Sequence, residues 1–325
     1  MRALQVHKLL PDHAGAALVD LPIPQPGPGE VRVRVRAAAI NFPDLLMTRG
    51  DYQLKPELPF VPGLEFSGEV DKVGEGVADW VPGDAVVGGN RFGAMAEYAV
   101  VPAASLRPKP PALSWEEAAA YPVAYLTAHV ALVRCARVER GEWVLVHGAA
   151  GGVGLAAVDL AQALGARVIA AASSAVKREA IERLYAPDAV IAAGPGFREE
   201  VKALTGGKGA DVIFDPVGGD VFDESTRCIA FGGRLLVVGF ASGRIPELSA
   251  NMPLIKGFSV VGVRAGEYGR RFPERGVENV AAVDALAAER RIRPHIHAVL
   301  DLADWREGFA MLERREAVGK VVLNP

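Results

Sequence analysis

Hydrophobic residues are spaced in two different ways along this chain, and the change comes near Ser114. Before it, Val31, Val33 and Val35 alternate with Arg32, Arg34 and Arg36, the period of two expected of a strand with one buried face. Further strands are predicted at Glu65–Val73, Ala85–Val87 and Ala96–Val101, each bounded by Gly, Pro or Asp turns. The segment Leu21–Gly29 is too rich in proline for a helix or a central strand and reads as an extended connection. After it, Ser114-Trp115-Glu116-Glu117 has capping-box spacing and leads an alanine-rich helical stretch. Short apolar runs then recur at Trp143–His147, Arg167–Ala172, Ala189–Ile191, Val212–Asp215, Arg234–Val238 and Ser259–Val263. Helical patterns fall between most of them, at Val153–Leu164, Ala175–Leu184, Phe197–Thr205 and Val221–Ala230. That rhythm predicts an α/β fold with a doubly wound parallel sheet, preceded by a mainly β region. The tail adds helices near Val277–Glu289 and Trp305–Arg314 and a strand at Lys320–Leu323.

Composition narrows the class. With 325 residues the chain is long enough for two domains, and 50% hydrophobic with 23% charged residues is ordinary for a globular protein. A net charge of −3 gives no general attraction to nucleic acid or anionic lipid. Met1–His7 lacks the apolar centre of a signal peptide, and no apolar run has the length of a bilayer crossing, so a cytoplasmic chain without membrane contact is expected. Cys135 and Cys228 stand alone, in predicted helices or at their ends, and form neither a metal-spacing pair nor a disulfide framework.

The most specific segment is Trp143–Gly154. An apolar run meets the small-residue turn Gly148-Ala149-Ala150-Gly151-Gly152-Val153-Gly154, and a helical pattern follows. Ala149-x-Gly151-x-x-Gly154 is the dinucleotide fingerprint with Ala at its first glycine. Small residues let the backbone bend and approach a pyrophosphate, which the N–H groups of the following helix hold. About twenty residues beyond such a motif an acid takes the ribose hydroxyls of NAD. Here that place reads Ala171-Ala172-Ser173-Ser174-Ala175-Val176-Lys177-Arg178, with no acid before Glu179. Hydroxyls and cations can bind a 2′-phosphate that a carboxylate would repel, so NADPH is expected over NADH. The alternative leaves Ser173 or Ser174 as a helix cap and Lys177 as a solvated charge.

Several blocks taken in order resemble the zinc-independent medium-chain dehydrogenases/reductases, in particular the NADPH:quinone oxidoreductase, zeta-crystallin-like family. They are Ala37-Ala38-Ala39-Ile40-Asn41-Phe42-Pro43-Asp44, Pro59–Gly68, Gly93–Tyr98, the fingerprint, Ala210–Gly219 and Gly319-Lys320-Val321-Val322-Leu323. The resemblance implies a GroES-like catalytic domain over residues 1–120 and 265–325 and a Rossmann NADPH-binding domain over 121–264. It also implies a cleft between them where quinones or related conjugated carbonyls accept hydride. The zinc branch has a Cys near Ala38–Ile40 and a His at the place of Leu64, and this chain has neither, so no metal ligand is assigned. His295 and His297 read as a surface pair on one strand face.

By the same resemblance, Asn41 lies beside the nicotinamide ribose, although a turn-forming Asn is the alternative. Asp44 is read as the cap of a helix starting at Leu45. Tyr52 belongs to the loop that family members fold over the substrate, and Thr127 packs near the nicotinamide carboxamide. Ala150, Gly151, Gly152, Val153, Ser173, Ser174, Lys177 and Val217 are expected at the cofactor, with Gly239, Phe240 and Ser242 along its nicotinamide half. Arg264 and Arg315 match positions that reach its phosphates. The strand Phe258–Arg264 is expected at the sheet edge, where it would pair two copies into a homodimer. Two other readings remain open at this point: an NADPH-dependent enone or enoyl-thioester reductase, and a non-enzymatic nucleotide- or RNA-binding protein, against which the acidic pI argues.

Overall fold

The computed structural model describes residues 1–325, which divide into two compact units, Met1–Val123 with Pro294–Pro325 and Ala124–Arg293. The first begins with β1 (Arg2–Val6) and β2 (Ala16–Asp20), an antiparallel pair. The alternating valines lie in β3 (Glu30–Ala39), with Val31, Val33 and Val35 all buried. Helix α1 (Phe42–Arg49) follows it immediately, and β4 (Glu65–Val73), β5 (Ala85–Gly89), β6 (Tyr98–Pro102) and the short β7 (Arg107–Pro108) complete this stretch. Helix α2 (Trp115–His129) starts with the expected capping box. Glu117 N donates to Ser114 Oγ at 3.1 Å, and Ser114 N donates to Glu117 Oε2 at 2.8 Å.

After a π-helical turn at Val130–Cys135, the second unit alternates strand and helix. The order is β8 (Trp143–Val146), α3 (Gly152–Ala163), β9 (Arg167–Ala172), α4 (Ala175–Tyr185), β10 (Ala189–Ala192) and α5 (Phe197–Leu204). Then come β11 (Ala210–Asp215), α6 (Gly219–Ser225), β12 (Ile229–Val237), α7 (Asn251–Lys256), β13 (Ser259–Gly262), α8 (Ala265–Arg271) and α9 (Pro273–Ala288). Its six strands form one parallel sheet in the order β10-β9-β8-β11-β12-β13. The predicted helix to Ala230 stops at Ser225 instead. Ser225 and Thr226 turn their hydroxyls onto the Val221 and Asp223 carbonyls at 2.7 Å, closing the last turn, and β12 starts early at Ile229.

The chain returns to the first unit at Pro294, not at residue 265 as expected. Helices α8 and α9 stay with the second unit because α9 buries Asn279, Val283 and Ala287, and Arg134 of the π-helical turn reaches Asn279 Oδ1 at 2.6 Å. Arg293 closes the segment: its N–H and the Tyr125 hydroxyl both donate to the buried Asp159 carboxylate, at 2.6 and 2.7 Å. β14 (Ile296–Asp301), α10 (Trp305–Glu313) and β15 (Lys320–Asn324) then complete the first unit. β15 lies parallel to β14 and antiparallel to the end of β3, in a seven-stranded sheet. Phe309 and Trp305 of α10 meet edge to face at 5.3 Å over Ile40, Leu45 and Val321. Truncating a buried aromatic such as Phe309 to Ala costs about 3–5 kcal/mol.

Candidate active site

The fingerprint folds as its residues require. Gly148 turns with φ +57°, and a Cβ at Gly154 would stand 2.2 Å from the Gly148 carbonyl oxygen, so α3 packs directly on the turn. Gly151 is exposed and precedes the helix in extended conformation; Ala150 is buried. The N–H groups of Gly152 and Val153, in the first turn, have no intrahelical acceptor and present an anion site.

Ala149 N donates to Ala171 O at 3.1 Å, tying this turn to the end of β9. Ser173 and Ser174 are exposed there. Ser174 Oγ accepts from Lys177 N at 3.3 Å, which realises the helix-cap alternative while leaving the hydroxyl proton available. Arg178, the second cation of that stretch, donates to the Ala172 and Ser173 carbonyls at 3.3 and 3.4 Å.

The loops after β11 and β12 lie against the fingerprint. A Cβ on Gly148 would sit 3.4 Å from Val217, and Ser242 N donates to Val217 O at 2.9 Å. Buried Asp215, its carboxyl pushed up chiefly by burial, accepts from Val217 N and Gly218 N at 2.8 and 2.9 Å and shapes the first loop. Gly239, Phe240 and Ser242 are thereby gathered with Val217, and Phe240 is 41% exposed. Arg264 is exposed where β13 ends, on the same carboxyl edge of the sheet. Thr127, also in the second unit, is half-buried on α2.

The first unit holds a different arrangement. Its register sets the end of β3 between the start of β4 and β15: Ala39 pairs with both Glu65 and Val322. Asn41 follows, and Lys320 Nζ donates to Asn41 Oδ1 at 2.6 Å and to Glu65 Oε1 at 2.9 Å. Asn41 Nδ2 donates to Glu65 Oε1 at 2.9 Å and to Ala39 O at 3.3 Å. Val123 N, beside Pro122 in α2, donates to Glu65 Oε2 at 2.7 Å. Asn41 and Lys320 are each 6% exposed, and Glu65 is 1% exposed.

Asp44 corrects the sequence reading. Helix α1 starts at Phe42, with Asn41 as its cap residue and Asp44 inside the first turn. Asp44 accepts from Asn41 N at 2.8 Å and Gly63 N at 3.1 Å, and burial chiefly pushes its carboxyl up to about 7. Tyr52 is half-buried against the core of this unit. Arg315 lies exposed just past α10 with φ +55°. Glu65 and Lys320 were not singled out from the sequence as site residues. Both lie inside blocks that carry the family resemblance, Pro59–Gly68 and Gly319–Leu323, and each is a charge beside an apolar strand run.

A parallel sheet with a fingerprint turn at its carboxyl edge, joined in one chain to an antiparallel β unit, defines a nucleotide-binding oxidoreductase. Residues 27–111 match the alcohol dehydrogenase GroES-like domain, and residues 152–282 match the zinc-binding dehydrogenase family. The chain belongs to the medium-chain dehydrogenase/reductase family, and within it to the quinone oxidoreductase-like enzymes. It is 42% identical over 291 residues to "Quinone oxidoreductase-like protein 2 homolog" of Nematostella vectensis, covering 89% of this chain and 80% of that one. A solved mycobacterial protein, Rv1454c complexed with NADPH, is 34% identical, covers 100% of both chains and gives a TM-score of 0.91. A stretch of the Streptomyces venezuelae "Pikromycin polyketide synthase component PikAII" is 37% identical over 290 residues, 88% of this chain and 7% of that protein.

The family description raises zinc, and the donors here do not fit it. Glu65 is neutralised by the Lys320 ammonium at 2.9 Å, which would repel a dication, and Ala38–Ile40 and Leu64 supply no thiolate or imidazole. No three His, Cys, Asp or Glu side chains gather into a metal-holding group. A dinucleotide does fit. The fingerprint turn and the open first turn of α3 match the pyrophosphate of such a cofactor.

Proposed function

We propose that this protein is an NADPH-dependent reductase that transfers hydride to quinones or related conjugated carbonyls without zinc. The observation that carries this reading is the buried Lys320–Glu65 pair, whose ammonium occupies the carboxylate beside Asn41 and would repel a dication there. Without a Lewis acid, oxidation of a plain alcohol lacks help at its alkoxide, whereas an electron-poor quinone needs little. Bound NADPH supplies the hydride. The residues of this chain bind and orient. Gly151, Gly152 and Val153, with buried Ala150 behind them, take the pyrophosphate. Ser173, Ser174 and Lys177 take the 2′-phosphate. Val217, Gly239, Phe240 and Ser242 line the nicotinamide half, Thr127 faces the carboxamide, and Arg264 and Arg315 add positive charge for the phosphates. Asn41 meets the nicotinamide ribose, and the Tyr52 hydroxyl donates to the acceptor oxygen.

The test follows NADPH absorbance with chelator-treated protein, an ortho-quinone, a para-quinone, a simple enone and a short enoyl thioester, with NADH in parallel. Oxidation of NADPH by the quinones, unchanged by chelator, is expected. A second reading, reduction of an enone or enoyl-thioester C=C bond, is favoured by the polyketide synthase likeness. Turnover confined to those two acceptors would put it first, and turnover with none would contradict both.

We also propose a homodimer through the edge strand. β13 pairs only with β12, and Val260 at 39%, Ile255 at 72% and Phe231 at 88% exposure leave apolar surface beside it. Light scattering should give twice the chain mass of 34.3 kDa, and a single chain mass would remove the idea.

A further inference from the structure

At the amino edge of the parallel sheet, opposite the fingerprint turn, the chain bends sharply through Thr205-Gly206-Gly207-Lys208-Gly209 before entering β11. Gly207 and Gly209 take φ of +84° and +88°, and a Cβ at Gly209 would collide with the Cys228 carbonyl oxygen. Gly209 N donates to Thr205 Oγ1 and Ala210 N to Cys228 O, both at 2.9 Å, so this bend is clamped against the start of β12. Lys256, at the end of α7, donates to Thr226 O at 2.9 Å and brings a third segment to the same place. Between them lies a cleft of about 250 Å³ lined by Lys202, Lys208, Arg227 and Lys256, with Phe231 and Ile255 also on its wall.

Charge in this cleft is one-sided. No carboxylate lines it, and the Cys228 thiol on its wall is pushed up to about 12, chiefly by burial, so it stays neutral. The acids nearby are engaged: Glu199 lies 3.0 Å from Arg198 and 3.7 Å from Lys202, and Glu224 accepts from the Gly196 and Arg198 backbone N–H groups. Lys208, Arg227 and Lys256 form no ion pair. Burial first, then the charges of Lys202 and Arg227, hold the Lys256 ammonium below the ordinary lysine value. Like charges gathered around a concave surface repel one another until an anion enters.

We propose that this cleft binds the phosphate group of a small metabolite, at a site separate from the dinucleotide's. Arg227 offers a planar fork and the lysines compact charges, a set that suits a dianionic phosphate. The fingerprint turn follows the carboxyl end of β8, whereas the cleft lies at the amino ends of β11 and β12, which run parallel to β8. The length of β11, about 17 Å at about 3.3 Å per residue, therefore separates the two, and both can be filled at once. Phe231 and Ile255 also belong to the proposed dimer surface, so the cleft opens beside it.

The experiment is calorimetric titration of inorganic pyrophosphate into the assembled protein saturated with NADPH or NADH, whichever it binds, so that the fingerprint turn is already filled. Wild type should take one pyrophosphate per chain. Lys208→Ala with Arg227→Ala should weaken it at least about tenfold. Lys8→Ala with Arg183→Ala removes as much charge from exposed positions elsewhere and should weaken it far less. Lys208 and Arg227 are exposed and have no ion pair to lose, so their double variant should melt no lower than wild type and bind the dinucleotide with unchanged affinity. No binding in wild type overturns the proposal, as does undiminished binding in the Lys208 and Arg227 variant. Equal weakening by the two double variants also overturns it, because net charge alone would then be the attraction. Citrate binding as tightly as pyrophosphate would overturn the assignment to phosphate.

Discussion

The two units use opposite means at their candidate sites. The second offers backbone: a turn of glycines and alanines, the first turn of α3, and loops held by Asp215 through main-chain N–H groups. The first offers buried side chains, Asn41, Asp44, Glu65 and Lys320, held by hydrogen bonds to one another and to nearby backbone. Backbone recognition depends on how closely the chain can approach an anion, so its weak point is added volume. Side-chain recognition depends on charge balance and orientation, so its weak point is the loss of one partner.

The contrast should break first at Gly154. Its Cβ would lie 2.2 Å from a backbone oxygen, so Gly154→Ala must displace the turn, weakening NADPH binding by about 100-fold or more and lowering stability. Gly151→Ala meets only one oxygen at 3.4 Å at an ordinary φ of −74°, and it should leave stability near wild type while still weakening the cofactor. Calorimetric titration with thermal melts separates the two. In the first unit, Lys320→Met should cost about 3–5 kcal/mol in urea unfolding by leaving Glu65 charged, buried and unpaired, and adding Glu65→Gln should recover most of it.

A smaller effect appears in the dependence on pH. Asp44, raised to about 7 by burial, binds its proton more tightly folded than unfolded, where its ordinary value is 3.8. Its contribution to stability is therefore full below about pH 3.8 and is lost as pH rises to about 7. His147 in the second unit runs the other way. Burial lowers it from 6.5 to about 3, so its contribution is present above pH 6.5 and is lost as pH falls toward 3. Between pH 4 and 7 Asp44→Asn should gain stability relative to wild type as pH rises, while His147→Gln should lose it. Parallel shifts in the two variants would contradict the assignment.

The same contrast explains what the sequence revealed. The parallel sheet was legible because each strand and helix carries its own local period, and the cradle was legible because backbone approach demands glycine at fixed spacing, as at Gly151 and Gly154. Asn41 was flagged by the block around it. Glu65 and Lys320 lie in such blocks too, but their meeting with Asn41 was not legible, because the pairing of β3 with β4 and β15 brings them to it, a register with no local signature. Asp44 was misplaced for a related reason. The Phe42-Pro43 start of α1 makes Asn41 the cap, and the carboxylate reaches across to Gly63, which has a φ of +106° and where a Cβ would stand 2.7 Å from Met95 N, leaving no room for a side chain. The return at Pro294 was set by Asp159 gripping Arg293, a contact between segments far apart in sequence.

We propose that the acid-free end of β9 selects a cofactor carrying a 2′-phosphate. The most direct measurement is a pair of dissociation constants, NADPH and NADH, on wild type and Lys177→Ala. Wild type should bind NADPH at least about tenfold tighter, and Lys177→Ala should lose most of that preference by weakening NADPH alone. Equal affinities in wild type, or a loss shared by both cofactors in the variant, would contradict it.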